Sequence, residues 1–151
     1  MKDEINNMAF KSEAARRRFE KAANALSAFG KVEILSPSAN YKNEYSARVK
    51  MPFAGPRDSD LSAGEMVVSI FVRERMKNLA SVSVGHFPNE ASYRAVQRRL
   101  RERGEPGFVR NEREWVSQHD VPVEELSPAI LRCLAELASR RANWMPGLID
   151  L

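Results

Sequence analysis

Cysteine is nearly absent: Cys133 is the one thiol in 151 residues. No disulfide can form within the chain, and a cysteine-built zinc site is excluded. Such usage fits a reducing compartment, so a cytoplasmic location is expected, bacterial or host. Histidine is scarce too, with His86 and His119 alone, and no His-Glu-x-x-His spacing occurs. No metal and no cofactor is expected. Apolar runs are short. The longest, Met66 to Val72, is broken by Ser69 and falls well below the roughly 20 residues that span a bilayer. The first seven residues mix charges and lack an apolar core, so no secretory signal and no membrane partner is expected. Phosphate-binding glycine loops are missing: Ala54-Gly55-Pro56 and Gly104-Glu105-Pro106-Gly107 lack both the glycine spacing and the Lys-Ser/Thr pair. There is no Gly-x-Ser-x-Gly elbow.

What is present is one domain's worth of core. The chain is 43% hydrophobic and 29% charged, with a formal net charge of +4, outside the range of disordered chains. Arginine outnumbers lysine, and no lysine follows Lys77. Arginine is the better fork for phosphate and carboxylate, although a GC-rich genome produces the same bias. The charge is uneven. Residues 1–58 carry +4, 59–87 zero, 88–113 +3 and 114–151 −3.

Periodicity predicts the elements. Residues 1–11 read as a loose N-terminal arm or an early helical turn, and 12–151 as a single α+β domain. Ser12 and Glu13 suit a helix start. Ala15, Phe19, Ala22, Leu26 and Phe29 then recur at helical steps, with Gly30 as a left-handed stop. Val32 to Leu35 is a short strand. Glu44 to Met51 alternates: Tyr45, Ala47, Val49 and Met51 face one way, Glu44, Ser46, Arg48 and Lys50 the other. Glu65 to Glu74 reads as a central strand and Leu79 to Phe87 as its hairpin partner. A second helix runs from Asn89 to Arg103, stopped by Gly104. Phe108 to Val121 is a fifth strand, broken near Asn111. Ser127 as cap and Pro128 as first residue open a third helix, with Ile130, Leu131, Leu134, Leu137 and Ala138 buried. The order α-β-β-β-β-α-β-α predicts an antiparallel sheet of four to five strands with helices mostly on one face.

Catalytic constellations do not assemble at this level. Ser117, His119 and Asp120 are too local for a relay, since alternation sends Asp120 to the opposite strand face. His86 beside Phe87 reads as the edge of a core. Asp58, Asp60, Glu65 and Lys77 contain the residue types of a two-metal nuclease. However, Glu74-Arg75-Met76-Lys77 lacks the Glu-x-Lys alternation that would share a face. The chain is therefore expected not to be an enzyme.

Three features remain. Arg94, Arg98 and Arg101 share a helix face, flanked by Arg99 and Arg103, opposite a Tyr93, Val96 and Leu100 stripe. On the first helix Arg17 and Lys21 share a face, with Arg18 next to it; Arg16 completes the triplet. The C-terminal tail carries Trp144, Met145, Leu148 and Ile149, costly to expose and of a kind enriched at interfaces. The expected partners are an acidic protein surface or nucleic-acid phosphates, with the tail sealing its own core, docking on a partner, or meeting a second copy in a homodimer. The expected function is a non-catalytic interaction protein, an adaptor, inhibitor or immunity-like protein of a bacterium or phage. The alternative is a nucleic-acid-binding domain that uses the Arg-rich second helix.

Overall fold

The computed structural model describes residues 1–35, 43–53, 64–75, 77–88, 94, 98, 101–104 and 114–144. Its elements are α1 (Lys2–Asn6), α2 (Glu13–Ser27), β1 (Glu33–Leu35), β2 (Glu44–Phe53), β3 (Gly64–Arg73), β4 (Leu79–Pro88), β5 (Glu114–Pro122), a 3-10 turn (Val123–Glu125) and α3 (Leu126–Trp144). The five strands form one sheet in sequence order, and every neighbouring pair is antiparallel. The α+β architecture expected from alternation is the one observed.

The register explains the core. Val49, Val68, Val84 and Val116 lie directly opposite one another across β2 to β5, and all are buried. Ala47, Ile70 and Val82 make the next buried row. Branched side chains fill such a pleated, covered face without losing much rotamer freedom. α2 packs on β2 and β3, and α3 on β4 and β5. Phe19, Ala22, Ala23 and Leu26 come from α2; Leu126, Ala129, Ile130, Cys133 and Leu137 come from α3. Both helices thus cover the same sheet face. The N-terminal residues join this core: Ile5 is buried, Met8 and Phe10 pack against it, and the Phe10 ring centroid lies 4.4 Å from that of Tyr45.

Four local expectations change. Ser12 does cap α2, accepting from the Ala15 N–H at 3.1 Å. The helix ends at Ser27, however, with Ala28 right-handed at its C-cap, so Gly30 is not the stop. Glycine is required there for another reason: its φ is +152°, and a Cβ would sit 2.7 Å from Val49 Cγ1. α3 starts at Leu126, which places Ser127 and Pro128 inside its first turn rather than at its cap. Proline is tolerated there because first-turn N–H groups have no intrahelical partner. The buried arc of α3 runs through Leu126, Ala129, Ile130, Cys133 and Leu137. Leu131 is therefore 57% exposed, and Ala138 is also exposed, against expectation. Finally, a bulge interrupts β4–β5 between Ala80 and Val82, where Asp120 takes φ 55°. One extra residue on β5 sets Val121 back onto the buried face.

Candidate interaction surfaces

Arg94, Arg98 and Arg101 stand in helical backbone and are exposed. Arg103 is exposed in the turn that follows, where the Gly104 N–H donates to the Arg101 carbonyl at 3.0 Å and Gly104 takes φ +68°. Gly104 thus stops the helix as its sequence position suggests. Arg99, with Tyr93, Val96 and Leu100, lies outside the described residues.

The triplet on α2 separates into three different roles. Arg16 is held between Glu13 and Glu20, one turn away on either side. Arg17 is 73% exposed and pairs with Glu13 at 3.4 Å. Arg18 turns inward, is 6% exposed, and donates to the carbonyls of Arg73 at 2.9 Å and Glu74 at 3.3 Å. Burial lowers the Arg18 pKa, and the Glu74 carboxylate opposes that shift. Arg18 therefore caps the end of β3 and is not part of an exposed basic face. Lys21 is exposed. Of the apolar tail, Trp144 is the last residue of α3, and Met145, Leu148 and Ile149 lie outside the described residues.

The second sheet face is covered by neither α2 nor α3. Glu33, Arg48, Ser69, Ser83 and Ser117 form one row across all five strands. Arg48 donates to Glu33 at 2.9 Å, and the Ser83 and Ser117 hydroxyls are 3.0 Å apart. The Arg48 guanidinium holds the Glu33 carboxyl below its ordinary range. One row further, Lys50, Val67, Gly85 and Trp115 are aligned. Trp115 lies on Gly85: a Cβ there would be 2.5 Å from Trp115 Cζ3. The indole fills the space left by the missing side chain and stays 42% exposed. Two cations of this face have anionic neighbours, Arg48 with Glu33 and Arg73 with Glu44 at 2.8 Å.

The triad types are not brought together. His119 Nδ1 lies 3.3 Å from Ser81 Oγ, while Ser117 meets Ser83, and Asp120 sits in the bulge. His86 is buried. Of the nuclease-type residues, Asp58 and Asp60 lie outside the described residues, whereas Glu65 and Lys77 sit at opposite ends of β3. The length of that strand separates the pair by about 25 Å. Among the described residues no group of His, Cys, Asp and Glu is placed to hold a metal ion. Nor is any helix among them long and apolar enough to cross a membrane.

Sequence reasoning missed one cluster. Glu74, in the β3–β4 turn, accepts from Tyr45 Oη at 2.6 Å, the Lys11 N–H at 2.7 Å and Ser12 Oγ at 2.9 Å. Burial alone would raise the Glu74 pKa. The donors Tyr45, Lys11 and Ser12, with Arg18 nearby, outweigh it and hold the carboxyl low. Burial, then the Glu74 carboxylate, pushes the Tyr45 phenol up to about 12. The alternation of β2 identified Tyr45 as inward-facing, but nothing local pairs it with Glu74.

Comparison with known proteins returns no match: no family model, no curated protein and no solved structure is similar to this chain. The surfaces above therefore carry the functional argument alone.

Proposed function

We propose that the chain is a non-catalytic interaction protein, an adaptor, inhibitor or immunity-like protein of a bacterium or phage. It binds an acidic protein surface through Arg94, Arg98 and Arg101, and the apolar tail that begins at Trp144 adds to the contact. One observation carries this reading: the three arginines are exposed in helical backbone, four and three residues apart. Residues at that spacing share a face, and seven residues rise about 10 Å. A line of guanidiniums of that length matches carboxylates on a folded partner and would speed encounter more than it deepens affinity.

Nucleic-acid binding would use the same arginines. It has less support, because Arg16 and Arg18 are engaged within the fold and Arg48 and Arg73 of the second sheet face have acidic partners. Two measurements decide. A partner captured from the native host should be lost when Arg98 and Arg101 are changed to Glu, or when residues 144–151 are removed. A partner indifferent to both changes refutes the proposal. Fluorescence anisotropy with duplex and single-stranded oligonucleotides should show no binding at low salt. Micromolar binding that weakens steeply as salt rises would replace this function with the nucleic-acid one.

A further inference from the structure

β5 ends the sheet. It is the last strand in the order and, among the described residues, pairs with β4 alone. The opposite edge, β1, is three residues long, which is one way folds blunt an edge. β5 has nine residues, and its regular part, Glu114 to Gln118, is free of the bulge. A long edge of this kind is a template for another strand.

We propose that the template is filled by a second copy of this chain. Two β5 strands pair antiparallel about a two-fold axis through Val116, joining the two sheets into one. This dimer does not depend on the basic-face function proposed above, and it uses a different surface.

Three observations select this occupant. The first is register. With the axis at Val116, Trp115 lies opposite Ser117 of the second copy, and Glu114 opposite its Gln118. Inward residues stay on the core face and outward ones on the second face, as strand pairing requires, and from Glu114 to Gln118 no acid faces an acid.

The second is the position of α3. It packs on β4 and β5 alike, so its axis runs near the midline between them. Strands are about 4.8 Å apart, which puts the two α3 axes about 10 Å from each other across the dyad. Packed helices sit about 8–10 Å apart. The sheet can therefore be continued without forcing the helices together or leaving a gap between them.

The third is charge. Arg132 reaches toward β5, its guanidinium 3.4 Å from Gln118 Oε1, so its side of α3 faces the edge. Glu136 follows one turn later, with the exposed Ala135 and Ser139 beside it. In an antiparallel helix pair around a dyad, Arg132 of one copy meets Glu136 of the other, twice. The short side chains of Ala135 and Ser139 permit the close approach. An isologous interface demands this self-complementarity.

The test is a charge-swap series followed by sedimentation equilibrium across a hundredfold range of protein concentration. The wild-type chain should be a dimer at tens of micromolar. Arg132→Glu and Glu136→Arg each create two like-charge pairs and should raise the dissociation constant about tenfold or more. The double variant restores opposite charges across the dyad and should recover the dimer. Thermal midpoints taken at a concentration where all four proteins are monomeric should agree, which separates loss of the dimer from loss of the fold. A wild-type monomer throughout the range overturns the proposal. So does a dimer indifferent to the single changes, or one that the double variant fails to restore.

Discussion

Replacing Glu74 tests how the first twelve residues are fastened to the sheet. Its carboxylate takes three donors, from Tyr45, Lys11 and Ser12. Removing them with Glu74→Ala is not three equal losses. Lys11 and Ser12 are exposed, so water replaces the carboxylate there, at a cost of about 1 kcal/mol for both together. Tyr45 is buried, and its hydroxyl keeps the Ala9 carbonyl at 3.3 Å as acceptor. Loss of a charged acceptor at a buried donor costs about 1.5–3 kcal/mol. The expected destabilisation is about 3 kcal/mol, read as a lower urea midpoint at constant slope. Glu74→Gln keeps one acceptor oxygen of the same reach for Tyr45 and Lys11, loses the charge and turns the oxygen facing Ser12 into an N–H donor, so about 1 kcal/mol is expected. The pH dependence follows the same logic. A carboxyl whose folded pKa is depressed stabilises above its unfolded value, about 4.3, and loses that contribution as pH falls through the folded one. The wild type should therefore weaken below about pH 4 more than Glu74→Gln does. Amide exchange in residues 1–12 should accelerate in Glu74→Ala before the strands are affected. Destabilisation of Glu74→Ala below about 0.5 kcal/mol, within the range of an ordinary surface change, would refute the reasoning.

At the alkaline end the sign reverses: Tyr45 has a raised pKa, so its contribution is complete below about pH 10 and is lost toward the folded value. Tyr45→Phe should abolish that part of the alkaline loss, seen by pH-dependent urea titration. Gly85→Ala drives a Cβ toward Trp115 and should cost about 1–3 kcal/mol. In a double-mutant cycle Trp115→Ala should relieve most of it, and simple additivity would contradict the cross-strand packing. Cys133 is buried, and burial first, then the Glu136 charge, raises its thiol pKa. Its reaction with an aromatic disulfide should be slow in the native protein and fast in denaturant. Rapid native labelling would show that the α3 contact with the sheet opens.

The sheet was legible because its signals are local. Tyr45, Ala47 and Val49 alternate with charged residues, which declares a one-sided strand, and the apolar run of β3 declares a covered one. The polar segment between β3 and β4 could only be a hairpin. What escaped depends on partners distant in sequence. Arg18 looks like a surface cation until the end of β3, 55 residues away, offers it two carbonyls. Glu74 looks like a turn residue until Lys11 and Ser12 arrive from 63 and 62 positions earlier. On α3, Leu131 was placed in the core by its apolarity. The arc that meets the sheet is instead centred on Ala129 and Cys133, and Leu131 lies beyond its edge.

Net charge misled for a related reason. The first 58 residues carry +4, yet on α2 Glu13 and Glu20 bracket Arg16, Glu13 also holds Arg17, and Arg18 leaves the surface. On α2 these side chains, three and four apart, neutralise one another before any partner arrives. The charge available to a partner is thus smaller on α2 than its count. This distinguishes the two functional alternatives by substitution. A nucleic-acid binder drawing on both helices should lose affinity with Arg17→Glu and Lys21→Glu about as much as with Arg98→Glu, and each loss should reduce the slope of affinity against salt by about one ion. A protein partner seated on the helical arginines should be indifferent to Arg17→Glu and Lys21→Glu and sensitive to Arg98→Glu and Arg101→Glu. Equal sensitivity at all four positions would show that the two helices act as one surface and that binding through Arg94, Arg98 and Arg101 alone is wrong.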